Sequence, residues 1–85
     1  MERLFERTKE IIALFEKLIQ QELESVQTNI KLIQANQKGH FTLNKIICHE
    51  SRLAIEQSRE AIKTFSELKR LHETKLISLE EVNQN

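Results

Sequence analysis

The sequence predicts an all-α protein: an antiparallel two-helix hairpin that dimerises into a four-helix bundle. Three observations carry that expectation. Apolar residues recur at helical spacing over two long segments. Punctuation is almost absent, since the 85 residues include one Gly and no Pro. The lone glycine, Gly39, falls near the midpoint, inside the stretch "IQANQKGHFTLNKI".

The first helix is expected over about residues 2–38. Its apolar residues step by sevens through Phe5, Ile12, Ile19, Val26 and Ile33, with Leu4, Ile11, Phe15, Leu18, Leu23 and Ile30 around them. At about 100° per residue these fall within an arc of roughly 140°, wide enough to face a core. Arg3, Glu6, Glu10, Lys17, Gln21 and Glu24 occupy the opposite side.

A turn is expected over about residues 39–42, with Gly39 as a left-handed C′ residue closing the first helix. Thr42 is the expected N-cap of the second helix, and Phe41 and Ile46 the expected hydrophobic staple. The second helix should run over about residues 43–79 and fray beyond, because Glu80 and Glu81 oppose the helix dipole. The whole chain, 1–85, then forms one domain.

With the corner near residue 40, facing positions should have numbers summing to about 80. That rule pairs Thr8 with His72, Phe15 with Phe65, Glu22 with Ser58, and Asn29 with Ser51. It also pairs Ile12 with Leu68, Ile19 with Ala61, Val26 with Ala54, and Ile33 with Ile47. Polar meets polar, aromatic meets aromatic, and large meets small, which lets two helices approach closely.

The second helix carries more apolar surface than one neighbour covers. Its expected seam is Leu43, Ile47, Ala54, Ala61, Phe65, Leu68 and Leu79. Ridges of Ile46, Leu53 and Leu71 on one side, and Ile55, Ile62 and Ile77 on the other, are the expected protein interface. Burying one ridge against a second copy makes a homodimeric bundle. The ridge left over suits an amphipathic helix of another protein.

Composition narrows the function. The 13 basic and 13 acidic residues leave no net field to draw in nucleic acid or an anionic membrane. Cys48 is the sole cysteine, so no internal disulfide can form and a reducing, cytoplasmic setting is expected. No apolar run reaches the roughly 20 residues of a membrane span, and "MERLFERTKE" does not read as a signal peptide. With no Trp or Tyr and few turns, no small-molecule or cofactor pocket is expected.

Reactive side chains gather only in "CHESR", Cys48 to Arg52. A zinc-protease motif would need a second histidine four residues after His49, where Leu53 stands. Adjacent Cys48 and His49 diverge by about 100° on a helix, and His40, His49 and His72 lack ligand spacing, so no metal site is expected. His49, Glu50 and Arg52 resemble the phosphoacceptor box of histidine kinase dimerisation domains, helical hairpins that pair into four-helix bundles. The resemblance implies His49 as an exposed phosphoacceptor. Leu53 and Ala54 stand where that family has proline and leucine, and His49 falls in the second helix rather than the first.

His72 is expected on the seam, partly buried and hydrogen-bonded to Thr8, and Glu22 is expected to specify register. Lys45, Arg52, Arg59, Lys63 and Arg70 align within about 40° on the second helix, a stripe expected opposite the seam that could track a phosphate backbone. Glu56, Glu60 and Glu67 interrupt or border it. The leading expectation is therefore a non-enzymatic module that binds itself and a helical protein, acting as an adaptor, inhibitor, small chaperone or regulator. Nucleic-acid binding through the basic stripe and phosphotransfer at His49 are the alternatives.

Overall fold

The computed structural model describes residues 2–84, so Met1 and Asn85 of the expected domain lie outside the described residues. The chain is an antiparallel helical hairpin, α1 (Glu2–Asn36) and α2 (Thr42–Gln84). Its Cα atoms span 67 × 14 × 13 Å, with the helices packed along each other.

The residues of α1 turned toward α2 are Phe5, Thr8, Ile12, Phe15, Ile19, Glu22, Val26, Asn29, Ile33 and Asn36. Their spacing alternates three and four, a strict heptad repeat. In α2 the matching set is Asn44, Cys48, Ser51, Ile55, Ser58, Ile62, Phe65, Lys69, His72, Leu76 and Leu79. A sustained seven-residue period in both helices winds them into a left-handed supercoil, which keeps one seam closed over the full length.

Phe15 sits between Phe65 and His72, whose ring lies 5.6 Å away, and three further contacts join the helices. The Phe15 and Phe65 rings lie with centroids 6.2 Å apart. The Cys48 thiol donates to the Ile33 carbonyl at 3.8 Å. The Asn44 carboxamide donates to Asn36 Oδ1 at 2.9 Å. Between these points the layers alternate in character. Along the seam of α1 apolar Ile33, Val26 and Ile19 alternate with polar Asn36, Asn29 and Glu22, and along that of α2 Cys48, Ile55 and Ile62 alternate with Asn44, Ser51 and Ser58.

Two helices shield only a narrow strip, so the deepest residues are small. Thr8, Ser51 and Ser58 are buried along with Cys48 and Ile55, whereas the larger side chains straddle the edge. The Thr8 hydroxyl donates to the Leu4 carbonyl at 2.8 Å, a back-bond within its own helix. No hydrogen bond joins it to His72, whose ring stacks on Phe15 at 5.6 Å and whose buried Nδ1 has no partner.

The seam of α2 is rotated from the one expected. Ile55 is buried and Ile62 half-buried in the seam, while Leu43 and Leu68 are exposed. The polar layers explain the rotation. Asn36, Asn29 and Glu22 recur on the inner face of α1, and turning α2 brings Asn44 onto Asn36 and Ser51 and Ser58 into the seam. The same turn brings Ile55 and Ile62 into the seam.

The corner also differs. No described residue has positive φ, so Gly39 does not serve as a left-handed cap. The first helix stops at Asn36, and the Gly39 amide donates to the Asn36 carbonyl at 3.0 Å, closing a turn. Phe41, not Thr42, precedes the first helical residue of α2, and its amide donates to Asn44 Oδ1 at 3.2 Å. That is the reciprocal half of a capping box, made by the third helical residue. Phe41 and Ile46 are both exposed and form no staple. At the far end α2 runs past Leu79 to Gln84. Glu80 and Glu81 are good helix formers, and a dipole penalty of about 0.3–1 kcal/mol each does not outweigh that where no Gly or Pro intervenes.

Candidate interaction surface

The register decides which side of the rod is apolar. In an antiparallel pair, the layers Ile33–Cys48, Val26–Ile55 and Ile19–Ile62 lie toward one side of the seam. The polar and aromatic layers lie toward the other. Beyond the apolar positions of the seam, α1 presents Lys9, Glu16, Leu23 and Ile30 at seven-residue intervals, Leu23 being 45% exposed, and α2 presents Lys45, Arg52 and Arg59. The Glu16 carboxylate bridges to Lys69 at 3.5 Å on that side. This edge mixes charged and apolar side chains.

The opposite side is apolar. Next to the polar layers, α1 carries Leu4, Ile11, Leu18, Ser25 and Leu32 at seven-residue intervals, and α2 carries Ile47, Ala54, Ala61 and Leu68 in the same way. Leu4, Leu32 and Leu68 are 41%, 42% and 37% exposed. Both ridges look out of the same broad face, since each neighbours the same set of layers on antiparallel helices. Leu14, Leu43 and Leu71, all exposed, border it. A hairpin alone cannot cover this face.

The residues expected to form the interface separate into three groups. Ile55 and Ile62 belong to the internal seam, because the rotation of α2 turns them inward. Leu71 borders the open apolar face. Ile46 and Leu53 sit one heptad apart on the outer back of α2, and Ile77 lies on another outer ridge; all three are exposed. The ridge of Ile11, Leu18 and Leu32 was not among the residues singled out from the sequence. Its signal was there in the seven-residue step from Leu4, but it was hidden inside a broad arc treated as one face.

Lys45, Arg52, Arg59, Lys63 and Arg70 are exposed, but they flank the seam rather than oppose it. Lys45, Arg52 and Arg59 border the seam, whereas Lys63 and Arg70 share a more outward ridge with His49 and Glu56. At the corner, Lys45 and Arg52 line a shallow recess of about 190 Å³ with Asn36, Gln37, Gly39 and Cys48. His49 is exposed and Cys48 buried, so the two neighbours serve opposite sides of the helix. No cluster of three or more metal-ligating side chains occurs among the described residues. No described helix is long and apolar enough to cross a membrane.

Comparison with protein-family models, with curated proteins and with solved structures yields no match.

Proposed function

We propose that the protein is a non-enzymatic protein–protein interaction module that pairs with a second copy and presents its remaining apolar surface to a helical partner. The observation that carries this reading is the open face between the Leu4–Leu32 and Ile47–Leu68 ridges. The chain exposes 6725 Å², whereas a compact monomer of 10.1 kDa exposes roughly 5,300 Å². The excess of roughly 1,400 Å² per chain is within the range that obligate homodimers bury. Once that face is covered, Ile46 and Leu53 remain on the outer back of α2 as a narrow apolar strip suited to an amphipathic helix.

Light scattering should report twice the 10.1 kDa chain mass at micromolar concentration, and Leu18→Glu should lower it. A cooperatively folded wild-type monomer at high micromolar concentration refutes the reading. Capture of a helical partner should then fail in Leu53→Asp while the dimer persists.

The basic row of Lys45, Arg52 and Arg59 supports the second reading, nucleic-acid binding. It predicts retention that falls steeply with salt and is lost on replacing those residues. Phosphotransfer at His49 rests on its exposure and predicts acid-labile phosphate on that residue.

A further inference from the structure

We infer that the edge carrying Leu23, Ile30, Lys45, Arg52 and Arg59 docks an acidic amphipathic helix. Apolar side chains of that helix cover Leu23 and Ile30, and its carboxylates meet the three cations. The surface is separate from those assigned above. It lies across the seam from the face given to the second copy, and away from Ile46 and Leu53 on the back of α2. A monomer and a dimer both present it.

The contacts near the corner set the two banks of this edge side by side. The Cys48 thiol meets the Ile33 carbonyl. Ile30 lies three residues before Ile33 and Arg52 four after Cys48, so on antiparallel helices they stand at about the same height. Leu23 and Arg59 each lie seven residues farther from the corner, again at matching heights. Apolar side chains of α1 therefore line one bank and cations of α2 the other. Leu23 is exposed and Ile30 half-buried, while Lys45, Arg52 and Arg59 are exposed.

The charge on this edge is not answered within the chain. Ion pairs among the described residues join Lys9 to Glu6 and Lys69 to Glu16, and none reaches the three cations. Glu56 stands four residues after Arg52 and three before Arg59, yet it bridges neither. The Glu16–Lys69 bridge lies where the basic stretch ends. At the other end, the recess of about 190 Å³ beside Lys45 and Arg52 has no carboxylate in its lining and takes an acidic side chain. The outer rim of α1 adds exposed Gln20, Gln27 and Gln34, which bring no opposing charge.

The apolar bank favours a helix over a phosphate backbone. A polyanion would satisfy the cations but leave Leu23 and Ile30 without an apolar partner. No aromatic residue stands on this edge to stack a base. A helix with Glu or Asp beside its apolar stripe answers both banks at once. From Leu23 to the corner the edge runs about 20 Å, the length of a helix of about 14 residues.

The test is selection on the full chain from a displayed library of amphipathic helical peptides of that length. Their apolar stripe is fixed as leucine, and the flanking positions vary among Glu, Lys and Gln. Enrichment of Glu at the flanking positions is expected. In fluorescence anisotropy, the enriched peptides should bind about tenfold or more weakly to the chain carrying Arg52→Glu and Arg59→Glu. Leu23→Asp should weaken them as well. All three positions are exposed, and unchanged helix content and urea midpoint confirm that the variants fold. The same peptides with Lys in place of Glu should prefer the doubly substituted chain to the wild type. No enrichment, enrichment without Glu, or equal binding to the variants overturns the inference. So does an oligonucleotide of about 15 nucleotides that binds where no Glu peptide does and is lost with Arg52→Glu and Arg59→Glu, which assigns the cations to nucleic acid.

Discussion

Asn36 and Asn44 clasp the corner: the Asn44 carboxamide nitrogen donates to Asn36 Oδ1 at 2.9 Å. Asn36 in turn donates to the Leu32 carbonyl at 2.8 Å, and Asn44 Oδ1 accepts the Phe41 amide at 3.2 Å. One chain of hydrogen bonds thus joins the last turn of α1 to the first turn of α2, in the place where a left-handed glycine would ordinarily set the angle. Asn44→Ala should lower stability by about 1 kcal/mol. A cycle with Asn36→Ala should show coupling of about 0.5 kcal/mol or more in urea unfolding. Additive effects would mean that the clasp does not bear on stability.

Gly39 is required for space rather than for its backbone angle. A Cβ there would overlap the Asn44 carboxamide, yet φ is not positive. Gly39→Ala should therefore destabilise the wild-type chain by displacing the clasp. In an Asn44→Ala background the same change should be neutral or stabilising by up to about 1 kcal/mol, because alanine restricts the unfolded chain. A loss of equal size in both backgrounds contradicts this account.

The rotation of α2 can be tested at two neighbouring residues. Ile55 is 8% exposed and Leu53 is 39% exposed. Ile55→Ala should cost about 2–4 kcal/mol, as for other core truncations, and Leu53→Ala about 1 kcal/mol or less. Thermal or urea unfolding of the two variants distinguishes the observed seam from one centred on Leu43 and Leu68.

His72 combines a half-buried ring stacked on Phe15 with an Nδ1 atom that is buried and without a hydrogen-bond partner. A polar atom left in that state costs about 1–3 kcal/mol. His72→Leu should accordingly raise stability, measured as a higher urea midpoint with unchanged helix content. A clear loss would show that the imidazole makes a favourable interaction with water or with a second chain.

Cys48 is buried, with its thiol directed at the Ile33 carbonyl. Its reaction with a thiol reagent should follow local opening of the hairpin and accelerate with denaturant. His49→Ala, at the adjacent exposed position, should leave that rate and the unfolding midpoint unchanged. Fast labelling of Cys48 under native conditions would place the thiol outside the seam.

The sequence by itself determined the two helices and their antiparallel return. Uninterrupted helical periodicity and a single break near the midpoint leave few other folds. The expected approach of Phe15 to Phe65 is seen, while Thr8 and Asn29 bond back along their own helix. What only the tertiary structure decided was the rotation of α2 about its own axis and the chemistry of the corner. Apolar residues cover more than half of α2, so hydrophobicity alone does not say which line through that arc meets α1. At the corner end Asn36 takes Asn44 as its partner, and Ser51, Ile55, Ser58 and Ile62 follow inward along α2. At the corner, the glycine signalled a break correctly but for a different reason. Close approach to Asn44 depends on a side chain five residues along the chain, and local turn propensity does not contain it.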